Sequence, residues 1–126
     1  MKDYEQMHKQ LLDEINHELD AERRIEEYAA EIAGHLVLSK KHEVDIEGSQ
    51  YLMSYAIAPG QKNTRTIVMM AVNTAKYELT QGKYIPFRLT AEMNESMSLR
   101  ENLEMMVDAF IRHLTGRIQS PDELDE

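Results

Sequence analysis

The first thirty-odd residues constrain the fold most, because they contain neither of the residues that usually end a helix. The first glycine is Gly34 and the first proline is Pro59. Apolar side chains recur there at intervals of three, four and seven or more, which places them near one helical face. The pattern predicts a helix over about residues 3–33. Its apolar positions are Tyr4, Met7, Leu11, Ile15, Ile25, Tyr28 and Ile32.

These apolar positions form two patches that are separated by residues 16–24, which are almost entirely polar. A helix of this kind can hardly be buried along its whole length within its own domain. One interpretation is that one patch packs on the body of the domain and the other on a second copy of the chain. The other interpretation is a structural helix exposed to solvent. The first interpretation predicts a homo-oligomer formed through the N-terminal helix.

A second helix is predicted near the C-terminus. Ser98 and Glu101 have the spacing of a capping box, in which the serine oxygen and the glutamate carboxylate each accept a backbone amide proton. Gly116 supplies a residue suited to the left-handed conformation that ends helices. The chain is expected to form a single domain over residues 1–118, followed by an acidic tail at 119–126. The apolar stripe of this helix is Leu99, Leu103, Met106, Val107, Phe110 and Leu114.

The middle of the chain predicts a small sheet. Residues 50–57 and 84–89 are rich in strand-forming side chains, and residues 35–39 and 43–47 are candidates for further short strands. Residues 64–81 have two interpretations. Eighteen residues without glycine or proline favour a helix, whereas the apolar run at 67–72 also suits a buried strand.

Both interpretations give an α+β fold, in which a small central sheet packs against a long N-terminal helix and a C-terminal helix. If residues 64–81 are helical, the middle is a strand–helix–strand unit. If residues 65–73 are a strand, the middle is an antiparallel meander. The helical interpretation is favoured on the length of the uninterrupted segment.

Charge is sorted along the sequence. Residues 1–33 have a net charge of −6, residues 34–90 of +3 and residues 91–126 of −6, which together make the −9 of the chain. The overall negative charge disfavours direct binding to nucleic acid, because phosphates repel it. The basic middle between acidic ends instead predicts capture of an anionic partner.

The best candidate site lies in that basic middle. On the helical interpretation the loop at 59–66 sits at a helix N-terminus, where free amides and the helix dipole attract anions. On the hairpin interpretation the same residues form an exposed basic tip suited to an acidic protein surface. A neighbouring aromatic and guanidinium pair suits stacking on a ring. The predicted ligand-binding residues are Gly60, Lys62, Asn63, Thr64, Arg65, Tyr84, Phe87 and Arg88.

No metal site, cofactor or catalytic residue is predicted. The chain has no cysteine, and its Glu-x-x-His pairs, Glu5 with His8 and Glu14 with His17, lie on the same predicted helix, whereas a carboxylate-bridged di-metal site takes its two pairs from different helices. The lack of cysteine, of a signal-peptide pattern and of a long apolar run predicts a cytoplasmic protein without a membrane segment.

One stretch resembles nucleoside deoxyribosyltransferases. The strand at 51–56, the polar loop, the possible helix and the Gly82 to Phe87 segment with its Ile-Pro pair follow the order of elements in that family. The resemblance implies a nucleoside- or nucleotide-processing enzyme with Glu101 or Glu104 as the reactive carboxylate. It is the alternative to the favoured function.

The favoured function is a non-enzymatic, homo-oligomeric binding protein. Its basic central segment would capture an anionic, nucleotide-like small molecule or an acidic partner surface, as an inhibitor or a phage-type accessory protein does.

Overall fold

A computed structural model of the chain describes residues 2–117, so the predicted tail at 119–126 lies outside the described residues. Three helices and four strands follow one another in the order α1, β1, β2, β3, α2, β4, α3. Their bounds are α1 Lys2–Ser39, β1 Lys41–Ile46, β2 Ser49–Pro59, β3 Arg65–Asn73, α2 Thr74–Leu79, β4 Phe87–Glu92 and α3 Leu99–Leu114.

The four strands form one antiparallel sheet in the order β1-β2-β3-β4. Helices α1 and α3 contribute to one buried apolar cluster together with side chains from one face of this sheet. This arrangement confirms the predicted α+β fold, with a sheet packed against a long N-terminal helix and a C-terminal helix. The middle of the chain is the antiparallel meander.

The favoured helix over residues 64–81 is wrong. Residues 65–73 form β3, and only the six residues of α2 are helical, beginning where the Asn73 side chain accepts the Lys76 backbone amide at 3.1 Å. Within β3, Ile67, Met69 and Ala71 are buried. The residues that alternate with them are apolar as well, so the run matched a helical spacing and a strand equally well.

Helix α1 runs further than predicted, to Ser39, which makes the short strand considered at 35–39 wrong. Leu36 is fully buried one turn after Ile32 and so continues the core-facing side of the helix. The helix ends before Lys40, whose φ of 64° lies in the left-handed region. Strand β1 lies close to the strand considered at 43–47, and β4 begins after Pro86 rather than at Tyr84.

Helix α3 begins as predicted. The Ser98 hydroxyl accepts the Glu101 amide at 3.1 Å, and the Glu101 carboxylate accepts the Ser98 amide at 3.3 Å. Gly116 follows the helix with a φ of 75°. The Phe110 side chain of α3 is fully buried at the centre of the core, edge-on to Tyr51 and tilted against Phe87.

Candidate functional site

The predicted anion-binding loop is the tight turn that joins β2 to β3. The Gly60 amide donates to the Thr64 carbonyl at 2.7 Å, and the Thr64 hydroxyl donates to the Gln61 carbonyl at 2.6 Å. Lys62 and Asn63 both adopt positive φ angles, of 53° and 65°. No helix follows the turn, so the expected helix dipole and free helical amides are absent from this loop. That part of the prediction is wrong because residues 65–73 form a strand.

Gly60 is required by the turn itself. A Cβ placed at this position would lie 2.5 Å from the Thr64 hydroxyl oxygen, which leaves no room for a side chain. The Thr64 side chain therefore occupies the space beside the Gly60 backbone in which a ligand was expected to lie.

Arg65 is already paired within the chain. Its guanidinium donates two hydrogen bonds to the Glu95 carboxylate, at 2.9 and 2.8 Å. These hydrogen bonds raise the pKa of Arg65 and hold the pKa of Glu95 below its usual value, although both groups are exposed. The carboxylate comes from the acidic C-terminal third, so one of the two loop cations is neutralised by an acidic flank.

A shallow groove of about 620 Å³ lies beside the turn. Lys62 is the cation that lines it and Glu92 is the carboxylate that lines it, so the two charges balance. Lys62 is exposed and forms no ion pair within residues 2–117. The groove supplies one free ammonium group rather than a cluster of cations.

The other three predicted residues, Tyr84, Phe87 and Arg88, lie at the other end of the sheet. Phe87 pairs with Ala71, whereas the Met93 amide bonds to Arg65, so six residues of strand separate the two ends. At about 3.3 Å per residue this is roughly 20 Å. The eight predicted residues therefore do not form one pocket.

Tyr84, Phe87 and Arg88 also differ in what they can offer a ligand. Phe87 packs against the rings of Phe110 and His113 on the core side of the sheet. Tyr84 precedes β4, in the connection from α2, and so does not share a strand face with Arg88. Arg88 is exposed and projects from the opposite side of the sheet to the core.

That opposite side, called the outer face below, is a surface that the sequence reasoning missed. Helices α1 and α3 pack on the other side of the sheet. The outer face consists of the strand residues that alternate with the core residues. Its central members are Leu52, Ser54, Ala56 and Ala58 on β2 and Thr66, Val68, Met70 and Val72 on β3.

The centre of the outer face is apolar except for Ser54, and it has cations on both sides. The pairing register places Lys41, Ser54, Met70 and Arg88 in one row across the four strands. Three interstrand spacings of about 4.8 Å put the two cationic residues roughly 14 Å apart. Met70, between them, is 37% exposed.

Acidic residues occupy the two remaining corners of the outer face. Glu43 and Asp45 lie further along β1, and Glu92 lies at the end of β4. All three are exposed. The positive charge of the face is therefore confined to the row that contains Lys41 and Arg88.

A second uncovered surface lies on α1. Every residue from 4 to 20 is exposed, so this part of the helix, called the projecting half below, extends beyond the core. Its large apolar side chains, called the apolar stripe below, are between 47% and 79% exposed. They are Tyr4, Met7, Leu11, Leu12, Ile15 and Leu19.

The boundary between the projecting half and the core is marked by ion pairs to the end of α3. Arg112 donates to Glu22 at 2.6 Å and also to Asp108, and Arg117 pairs with Glu18. Partial burial lowers the pKa of Arg112, but the hydrogen bonds to Asp108 and Glu22 outweigh this effect and raise it. These contacts fix α3 antiparallel to α1.

Two carboxylates, those of Glu101 and Glu104, were considered for catalysis. Glu101 is held by the capping box of α3. Glu104 borders a groove shared with Glu26, Glu101 and Asp108. The helix that the deoxyribosyltransferase resemblance requires after the polar loop is replaced by β3, so the order of elements differs from that family.

Within residues 2–117, nowhere do three or more His, Asp or Glu side chains form a group that could hold a metal ion. None of the helices in this part of the chain combines the length and apolarity that crossing a membrane requires. No protein-family model matches the chain, and no curated protein or solved structure is significantly similar to it.

Proposed function

We propose that this chain is a non-enzymatic, homo-oligomeric binding protein whose outer face captures an acidic, amphipathic segment of another protein. The observation that carries the proposal is the row in which Lys41 and Arg88 flank an apolar centre on an uncovered sheet face. It retains the idea of an acidic partner and moves the contact from the hairpin turn to the sheet.

The dimensions of this row suit a helix. An α-helix with its side chains is about 10–12 Å across, and the two cationic residues are roughly 14 Å apart. An apolar stripe of the partner would cover Met70 and the side chains around it, and carboxylates on both sides of that stripe would reach Lys41 and Arg88. Glu43 and Glu92 would repel carboxylates placed elsewhere on the face.

Burial of apolar surface would supply most of the affinity. Val68, Met70 and Val72 project from a central strand, where apolar residues are normally covered by a second layer. Each square ångström of apolar surface removed from water contributes about 25 cal/mol. The cations would then select the partner, because exposed ion pairs add specificity more than affinity.

A nucleotide-like ligand is less well supported. The groove beside the turn offers one free ammonium group opposed by Glu92, and Arg65 is engaged by Glu95. A nucleotide titration followed by heteronuclear NMR tests this form of the function. Shifts around Gly60 that disappear in Lys62→Ala would favour the small-molecule form over the proposed one.

The proposed function is tested with a synthetic helical peptide that has a leucine stripe flanked by glutamates. A matched peptide with lysines in place of the glutamates is the control. Titration of isotope-labelled protein is expected to shift the amides of Leu52 to Ala58 and of Val68 to Val72, and the lysine peptide is expected to bind more weakly.

Charge reversal tests the role of the two cations. Lys41→Glu/Arg88→Glu is expected to weaken binding of the acidic peptide roughly tenfold, which corresponds to about 1.4 kcal/mol. Lys9→Glu/Arg24→Glu makes the same charge change at exposed positions of α1 and is expected to bind as the parent does. Equal binding by both variants, or shifts confined to other surfaces, would refute the proposal.

A further inference from the structure

The apolar stripe on the projecting half of α1 is occupied, we infer, by the same stripe of a second copy in antiparallel orientation. The two chains would form a two-fold homodimer with one domain at each end of the helix pair. This inference rests on the homo-oligomeric part of the proposed function and specifies its interface.

The apolar stripe is continuous with the core-facing side of α1. At 100° per residue, Tyr4, Leu11 and Ile15 lie on the same side of the helix as Ile25 and Ala29. Ile25 and Ala29 are buried, whereas Leu11 and Ile15 are each 54% exposed. The surface that packs on the domain therefore continues, uncovered, along the projecting half.

Helix α3 ends where the projecting half of α1 begins. Helix α3 runs antiparallel to α1 and reaches it at Glu22 and Glu18, through Arg112 and Arg117. Gly116 then stops α3 with its left-handed backbone. An antiparallel partner helix would have the same direction as α3 and would begin beside Leu19. The partner helix would therefore pack along α1 in line with α3, beyond the point at which α3 ends.

A parallel pair is disfavoured by the same geometry. A parallel partner would follow α1 past Leu19 into the space that α3 occupies. In the antiparallel pair each domain lies beyond the end of the other helix, so the two do not compete for space.

The length of the stripe fits a symmetric pair. From Tyr4 to Leu19 the helix rises about 22 Å. Placing Tyr4 opposite the partner's Leu19 puts Leu11 and Leu12 near the two-fold axis, and each side chain of the stripe then faces the stripe of the other copy. Such an interface is isologous and closes on itself, so it yields a dimer rather than a filament.

The oligomeric state tests this inference directly. Sedimentation equilibrium of the full chain is expected to give twice the 14.6 kDa chain mass, with dissociation on dilution. Leu11→Glu/Ile15→Glu is expected to be a monomer with unchanged circular dichroism in the folded domain, because both side chains lie outside the core. Gln6→Glu/Gln10→Glu adds the same charge to the opposite side of α1 and is expected to stay dimeric.

Cysteine pairing tests the orientation, since the chain has no cysteine of its own. Tyr4→Cys/Leu19→Cys is expected to form a covalent dimer on mild oxidation, and neither single variant is expected to do so. Covalent dimers from Tyr4→Cys alone would overturn the antiparallel arrangement. A cross-link between Leu11→Cys and Met70→Cys would show instead that the partner's outer face covers the stripe.

These results are separable from those of the proposed function. A parent chain that is monomeric throughout the accessible concentration range would overturn the dimer, whatever the acidic peptide does. A parent chain that is dimeric but does not bind the acidic peptide would overturn the proposed capture of an acidic segment and leave the helix pair intact.

Discussion

Substitution of Asn102 is expected to destabilise the protein more than any change at the surfaces described above. This side chain is 7% exposed and joins α3 to the loop that follows β4. Its Oδ1 accepts the Asn94 amide at 2.9 Å, and its Nδ2 donates to the Asn94 carbonyl at 3.0 Å and to the Ser98 carbonyl at 2.8 Å. The Asn102 side chain thereby satisfies both backbone hydrogen-bonding groups of Asn94, as a neighbouring strand would in a sheet.

The magnitude follows from these three hydrogen bonds. Each contributes about 1 kcal/mol net, so Asn102→Ala is expected to lower the free energy of unfolding by about 3 kcal/mol. For a domain of this size that corresponds to a fall in the melting temperature of roughly 12 °C. It is a large share of the ~5–15 kcal/mol that stabilises an ordinary domain.

Asn102→Asp tests the same reasoning without changing the shape of the side chain. A carboxylate oxygen in place of Nδ2 would face the carbonyls of Asn94 and Ser98 and repel them. The pKa of the new carboxyl is therefore raised in the folded state, and protonation restores a donor. The destabilisation is expected to grow as the pH rises above about 4 and to be largest at neutral pH.

Urea denaturation followed by circular dichroism, repeated across this pH range, measures both effects. Asn63→Asp is the control, because it makes the same chemical change at an exposed position. If Asn102→Asp unfolds at the same urea concentration as the parent at neutral pH, the buried hydrogen bonds do not hold the loop.

Two further predictions concern the ion pair of Arg65 with Glu95 and the projecting half of α1. The pKa of the Glu95 carboxyl, followed by NMR, is expected to lie below the ordinary value of a glutamate, and Arg65→Ala is expected to raise it towards that value; an unchanged titration would exclude the pair in solution. The stabilisation from this pair is present at neutral pH and is lost as the pH falls through the lowered pKa. Removal of residues 1–16 is expected to leave a folded domain with nearly unchanged melting of its core, because residues 4–16 are exposed; differential scanning calorimetry would show a large loss if they belong to the core.

Local signals predicted both ends of α3 and most of α1. The capping box at Ser98 and Gly116 mark the ends of α3 through contacts within a few residues, so the sequence contains all the information they need. The two apolar patches of α1 also correspond to the structure, since Ile25 and Ile32 are buried whereas Leu11 and Ile15 are exposed.

The error over residues 64–73 has a physical cause that bears on function. In a sheet with one solvent-exposed face, polar residues normally alternate with apolar ones and reveal the strand. In β3 the outer residues Val68, Met70 and Val72 are apolar too, so this alternation is missing. The feature that misled the sequence reasoning is thus the same feature that makes the outer face a candidate binding surface.

The composition of the candidate site could not be predicted from local sequence. The row of Lys41 and Arg88 depends on three pairing registers, and the neutralisation of Arg65 depends on a carboxylate thirty residues away. Charge sorting along the chain pointed to the basic middle but did not show which cations remain free after folding.

The two uncovered surfaces lie in different parts of the molecule, and this separation has a functional consequence. The outer face belongs to the sheet, whereas the apolar stripe lies beyond the core on the projecting half of α1. Pairing through the stripe would therefore leave both outer faces open, one at each end of the helix pair. A dimer of this kind would bind a partner with two acidic segments more tightly than either domain does, because the second contact becomes intramolecular. Leu11→Glu/Ile15→Glu would abolish that gain while leaving the affinity for a single segment unchanged, which distinguishes a bivalent binder from a domain that dimerises only for stability.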